Sequence, residues 1–287
     1  MRKLQSPSRM SLLLNGAAVV IGGGSLAVVV RSVVLPADTP SCRERFVTAT
    51  RLSLDRDGAP MSAADLQGQL ANTDWGLLTG TRVVKLKTGP AKHALEIDLA
   101  SAPSVSKAAS GERAGVGFNW APQSFGRPRA ACLSYSVFLP DGFTFGRGGR
   151  LPGFAGASAT ETGEPETAFS TRYTWSADGE AEIYAQLPDW PEGRSLGGKR
   201  EKLALQPGRW TELEQEVVLN SPGKADGVLR VWQDGRLVMQ RSDVLFRMKP
   251  SVMLSGVLAE ASAGDPVADT KPGPQKIWLT PFELRWQ

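Results

Sequence analysis

Two short stretches place anion-binding and proton-transferring side chains two residues apart. From Phe169 to Thr174, the residues Phe169, Thr171 and Tyr173 alternate with Ser170, Arg172 and Thr174. From Glu182 to Leu187, the residues Ile183, Ala185 and Leu187 alternate with Glu182, Tyr184 and Gln186. Side chains two apart on a strand share a face. The Asp178-Gly179 pair between them is a turn signal, so the two strands read as a hairpin with cross-strand polar neighbours. Ser170, Arg172, Tyr184 and Gln186 then gather on one face. A guanidinium pairs with a carboxylate, a hydroxyl and an amide can hold it, and a phenol can pass a proton. That set suits an acidic sugar. The same alternation also describes an ordinary solvated sheet face, and the pattern alone leaves both readings standing.

Other segments carry candidate ligand groups. Gly146-Arg147-Gly148-Gly149-Arg150-Leu151-Pro152-Gly153 offers glycines that let backbone approach a ligand, with Arg147 and Arg150 to fork a carboxylate. It lacks the Gly-Lys-Ser/Thr ending of a phosphate loop, and a surface turn is the plainer reading. Arg230 and Trp232 share a face of the segment 227–233, where they would either stack on a sugar or, for the Trp, fill a core. Arg194, Lys199, Arg200 and Lys202 either border an anionic groove or form a solvated loop. The single histidine, His93, and the two cysteines, Cys42 and Cys132, exclude a zinc site built from several His or Cys ligands. No Gly-x-Ser-x-Gly elbow is present. No metal site and no organic cofactor is expected; Asp265 and Asp269 would hold a cation only weakly.

The elements that must position these groups are strands. Leu133, Tyr135, Val137 and Leu139 alternate with Ser134 and Ser136, the clearest period of two in the chain. Similar patterns cover 82–87, 94–99, 115–120, 168–175, 180–187, 211–219, 227–233, 237–241, 252–257 and 276–286, with Pro, Asp and Gly turn signals between them. Helix is scarce, and 61–70 is the best short candidate. The stretches 156–167 and 259–274 are small and polar and read as loops. Many strands at this spacing predict an all-β sandwich of two antiparallel sheets.

The N-terminus reads differently. Arg2, Lys3 and Arg9 form a basic tail over 1–9, and 10–30 is an uncharged apolar run long enough to span a bilayer. The expectation is a transmembrane signal anchor with the domain in the periplasm or extracellular space; the alternative is secretion after cleavage near Ala37. Residues 31–84 read as linker and extension, and 85–287 as the domain. In an oxidising compartment Cys42 and Cys132 would either pair or remain buried thiols. A net charge of +4 on 287 residues gives no reason to expect nucleic acid.

Several of these pieces occur in an order that resembles polysaccharide lyase family 14. They are Leu133 to Phe143, Gly148-Gly149-Arg150-Leu151-Pro152-Gly153, Phe169-Ser170-Thr171-Arg172, Glu182 to Pro188, Gly208-Arg209-Trp210, Leu219 to Val228, and Val231 to Val238. The resemblance runs from about Lys85 to the C-terminus. It implies a β-jelly-roll fold and β-elimination on uronic-acid chains, as in alginate and glucuronan lyases. It also implies site residues: Ser170 and Arg172 at the family's Ser and Arg, and Tyr184 at the first of two tyrosines. Arg150 stands where the family has Lys, and Gln186 where it has the second Tyr. The segment 257–274 lacks the aromatics usual there.

β-Elimination needs a cation on the substrate carboxylate, a base for the neighbouring C–H, and an acid for the leaving oxygen. The resemblance therefore casts Tyr184, Arg172, Ser170 and Arg150 as catalytic, and Gln186, Arg230, Trp232 and Arg147 as substrate-binding. The expected partners are an acidic polysaccharide and, through the N-terminal segment, a membrane. A catalytically inactive polysaccharide-binding relative is the alternative, and an envelope protein using the sandwich for protein contacts is a third.

Overall fold

A computed structural model describes residues 39–70, 74–99, 115–158, 166–196, 203–264 and 275–287. The chain divides into two units, Met1–Pro40 and Ser41–Gln287. The apolar run 10–30 lies outside the described residues; among those described, no helix is long and apolar enough to cross a membrane.

The second unit is a sandwich of two antiparallel sheets. The first contains β1 (Thr48–Arg51), β4 (Thr81–Lys85), β5 (His93–Asp98), β7 (Ala130–Phe138), β13 (Trp210–Val218), β14 (Gly227–Gln233), β15 (Arg236–Val244), β17 (Lys276–Leu279) and β18 (Glu283–Trp286). Its main path runs β15-β14-β13-β7-β17-β5-β4, with β18 beside β7 and β1 beside β18. The second contains β6 (Val116–Trp120), β8 (Gly149–Ser158), β9 (Glu166–Trp175), β10 (Glu180–Leu187), β11 (Trp190–Ser195), β12 (Leu203–Ala204) and β16 (Met253–Ala263). Its path is β11-β10-β9-β8-β16-β6, with β12 beside β10. Among the described residues a small hairpin, β2 (Asp55–Arg56) with β3 (Ala59–Pro60), three short α-helices, α1 (Cys42–Arg45), α2 (Ala63–Gln69) and α3 (Leu77–Gly80), and a 3-10 turn at Gln123–Phe125 complete the unit.

Alternation explains the layers. Leu133, Tyr135 and Val137 of the first sheet meet Phe154, Phe169, Tyr173 and Ile183 of the second in one apolar core. Buried hydroxyls in that core reach backbone acceptors: Tyr135 donates to Pro152 O at 2.9 Å and Tyr173 to Glu214 O at 3.0 Å. The α2 helix starts at a capping box of Ser62 and Asp65, which the sequence places one residue inside the expected 61–70 span. Residues 41–84 join this unit through β1, β4 and the helices rather than standing apart from it.

Three expectations are corrected. The Gly-rich segment 146–153 is a turn only up to Gly148; from Gly149 it is strand β8, running on through residues read as a loop to Ser158. Its glycines are there for close packing: a side chain on Gly153 would lie 1.7 Å from Thr171 O, and one on Gly156 would lie 1.9 Å from the Phe169 ring. Second, β16 extends six residues beyond 257, into the segment read as loose. Its alternation changes phase at Gly256, a bulge with φ +135°. Third, 276–286 is two strands, β17 and β18, divided at Thr280-Pro281-Phe282.

Cys42 and Cys132 form a disulfide with a Cα–Cα distance of 5.7 Å. It fixes α1 onto the outer face of the first sheet, where Phe46, Ala130 and Trp232 pack around it.

Candidate active site

The β9–β10 hairpin pairs Tyr184 directly with Arg172 and Gln186 directly with Ser170. Phe169, Thr171 and Tyr173 point into the core, so the polar set takes the outer face of the second sheet. That face is not uniformly solvated: Ser170 is 1% and Arg172 7% exposed. Ser170 Oγ donates to Gln186 Oε1 at 3.2 Å, and Arg172 Nη2 donates to the same oxygen at 3.2 Å. The Arg172 guanidinium also lies 5.9 Å from the Tyr184 ring centroid.

Beside Arg172 the sheet carries a bulge. Between the pairs Leu151↔Tyr173 and Phe154↔Thr171, β8 carries Pro152 and Gly153 opposite Arg172 alone. On its other side Gly153 pairs with Leu258 and Arg150 with Ser262, so Leu151 and Pro152 lie opposite Ala259, Glu260 and Ala261 of β16. Arg172 and Glu260 form an ion pair across β8. Arg150, two residues before the bulge, donates to the other oxygen of Glu260 at 2.8 Å. Glu260 therefore carries a guanidinium on each oxygen while only 4% exposed. Burial acts to raise its pKa, but the hydrogen bond from Arg150 and the charges of Arg172 and Arg150 outweigh it and hold the carboxyl below its ordinary value. Arg172 Nε is buried with no hydrogen-bond partner among the described residues. The side chain of Arg150 is 40% exposed, against 9% for Arg172.

Tyr184 stands at the other side of Arg172, half-buried, with β11 beside it. Its hydroxyl donates to Glu192 O at 2.5 Å. Gly193, at φ +78°, leaves room for the ring: a side chain there would come within 2.4 Å of it. Gln186 Nε2 reaches Pro191 O at 3.4 Å, so β11 supports both polar residues of β10.

The sequence-predicted set separates into two groups. Arg150, Ser170, Arg172, Tyr184 and Gln186 are brought together. Arg147 is exposed on the turn before β8, next to Gly264 at the end of β16. Arg230 and Trp232 are not part of this site, because β14 lies in the other sheet. Arg230 is paired with Glu216 at 2.8 Å and Gln240 at 3.1 Å. Trp232 is 0% exposed, sealed beneath α1 and the disulfide, and has no face for a sugar. His93 is buried against Asp55, away from the cluster. Of the basic stretch only Arg194 is described; its guanidinium stacks on Trp190 within β11. Asp265 and Asp269 lie outside the described residues. Among the described residues the one set of His, Cys, Asp and Glu groups close enough to hold a metal is Cys42, Cys132 and Glu214, and the disulfide occupies both sulfurs. Glu260 is the site residue that sequence reasoning missed. Its signal was the alternation of Ala259 and Ala261 with Glu260 and Ser262, weak because alanine favours strands poorly.

The comparisons with known proteins bear on the fold and the family. A search of the curated proteins finds no match. Among solved structures, the fold is similar to the PL-14 alginate lyase of Aplysia kurodai (21% identity, TM-score 0.63), covering 84% of this chain and 99% of that one. It is also similar to alginate lyase vAL-1 from Chlorella virus (21% identity, TM-score 0.56), covering 72% and 89%. The endo-β-1,4-glucuronan lyase of Trichoderma reesei is more distant (12% identity, TM-score 0.50), covering 75% and 88%. The family model Polysaccharide lyase 14 matches residues 88–265, which contain β8, β9, β10 and the whole ion-paired row, and the chain belongs to that family.

Proposed function

We propose that this protein is an exported polysaccharide lyase that cleaves an anionic, uronate-containing chain by β-elimination. The observation that carries the reading is the row Tyr184–Arg172–Glu260 with Arg150 alongside: a phenol and an accessible guanidinium on one face, held by a buried ion pair. Arg150, half-exposed, receives the uronate carboxylate and draws charge from the carbon next to it. Arg172 is held by Glu260 and Gln186 and adds positive potential from beneath. The Tyr184 oxygen relays a proton: it takes one from the carbon beside the carboxyl group and delivers it to the leaving oxygen. The electron pair of the broken carbon–hydrogen bond forms the new carbon–carbon double bond as the glycosidic carbon–oxygen bond breaks, and the tyrosine ends in the form in which it began. Arg150 acts as a cation only, since arginine stays protonated. Export is supported by the apolar run 10–30 and by the disulfide.

A second reading, a polysaccharide-binding relative without turnover, is favoured by the hydrogen bond that commits the Tyr184 hydroxyl to Glu192 O. The two are separated by following ultraviolet absorbance of unsaturated uronate with polyglucuronate and alginate as substrates. A lyase gives a rise that Tyr184→Phe abolishes, that Arg150→Ala lowers by about a hundredfold or more, and that Arg150→Lys largely keeps. A flat trace with all substrates, from a protein still retained on an acidic glycan, overturns catalysis and leaves the binding reading.

A further inference from the structure

Trp75 stands where the row of site residues meets the edge of the sheet. Its backbone extends that edge by one bridge: Trp75 N donates to Gly117 O at 2.9 Å and Gly117 N to Trp75 O at 3.0 Å. Gly117 is the cross-strand partner of Glu260, so both face outward at one level. The indole covers Gly117, close enough that a side chain there would sit 2.1 Å from Trp75 Nε1. The position is built into the backbone. Gly76, at φ +72°, follows it, and a side chain on Gly76 would lie 2.1 Å from Gly115 O. Gln67 donates to the preceding Asp74 at 2.8 Å. Trp75 itself is half-buried, and its bridge partner Gly117 shares its face of the sheet.

From this placement we infer that Trp75 is a sugar-stacking platform, a subsite for a pyranose ring of the polymer next to the residue held by Arg150. The inference rests on the proposed uronate-chain function and names how far the site extends. Five strands, β10, β9, β8, β16 and β6, carry Tyr184, Arg172, the bulge with Arg150, Glu260, and Gly117 beneath Trp75. Four inter-strand steps of roughly 4.8 Å make a row of about 19 Å, the span of several linked rings rather than one. The row has an aromatic ring at each end, and the apolar face of a pyranose packs on such a ring. Trp75 precedes the segment 88–265 matched by the family model, so the extension before the family domain supplies this wall.

The test is calorimetric binding of a uronate disaccharide and hexasaccharide in the Tyr184→Phe background, which prevents turnover. Trp75→Leu keeps an apolar cover over Gly117 but cannot stack, and Trp75→Phe keeps a smaller ring. The expected result is about a tenfold loss of hexasaccharide affinity in the Leu variant, a smaller loss in the Phe variant, and no change for the disaccharide. Thermal melting confirms that both variants are folded. Equal hexasaccharide affinity in the Leu variant and its parent overturns the subsite while leaving the function intact. No binding of the hexasaccharide by the parent overturns the uronate-chain reading, and the subsite with it.

Discussion

Glu260→Gln changes one atom and one charge at the centre of the site. The side chains of Glu260 and Arg172 are 5% and 9% exposed, so the variant strands a buried guanidinium beside a neutral amide. Removing one partner of a buried pair costs about 3–5 kcal/mol. The bond to Arg150 adds about 0–1 kcal/mol, because that side chain is 40% exposed and solvent screens it. At about 2–4 °C per kcal/mol for a unit of this size, the melting temperature falls by about 10 °C. The pH dependence identifies the cause. The folded carboxyl of Glu260 lies below its ordinary 4.5. Its stabilisation is therefore full above that value and is lost as pH falls through the folded value. The gap between parent and variant should close on acidification. A double-mutant cycle with Arg172→Met should return a coupling of at least about 2 kcal/mol. A variant melting within about 2 °C of its parent, or additive losses in the cycle, would refute the claim that this ion pair holds Arg172 in place.

Two further outcomes bear on the first sheet. Replacing Cys42 and Cys132 by Ser opens a loop with a sequence separation of 90; the chain-entropy account puts the loss at about 4–5 kcal/mol, read from urea unfolding with and without reductant. A loss below about 1 kcal/mol would show that the bridge does not constrain the unfolded chain. Trp232→Ala should cost about 3–5 kcal/mol as a core truncation and leave the oligosaccharide affinity of the folded fraction unchanged. Weaker binding at equal folded fraction would return Trp232 to the site.

Much of the site was legible because it depends on strict alternation. Ser170, Arg172, Tyr184 and Gln186 lie on two strands joined by a tight turn, and a turn of that kind fixes register, so the face and the partners follow together. What was hidden depends on departures from alternation. Glu260 lies beyond the Gly256 bulge, which inverts the phase of β16, in a run of alanines with little strand preference of its own. Strand β8 was obscured by its glycines, which mark a turn locally but here accept Thr171 O and the Phe169 ring at short range. Trp232 shows the opposite failure. It shares a face of β14 with Arg230, as expected, but that outer face is covered by α1, a helix of four residues held there by the disulfide and by the ion pairs of Arg43 and Arg45. Trp75 had no periodic context, since a single bridge holds it.

Both sheets have charged outer faces, and the difference between them decides where a polyanion can be received. On the first sheet, Glu216 is bound by Arg45 and Arg230, and Glu283 by Arg51 and Arg285. Glu212 is paired with Arg43 of α1, and Glu214 accepts from Ser41 at 2.5 Å. A ligand carboxylate would have to displace a resident one at each of these arginines and would find the disulfide-pinned helix in its way. On the second sheet one carboxylate, Glu260, serves two guanidinium groups. Arg172 is buried and committed; Arg150 keeps a solvent-facing edge beside Tyr184's row. Pairing with Glu260 removes one of the two positive charges and fixes the geometry of the other. The charge that remains is one guanidinium, which is what a single uronate carboxylate neutralises.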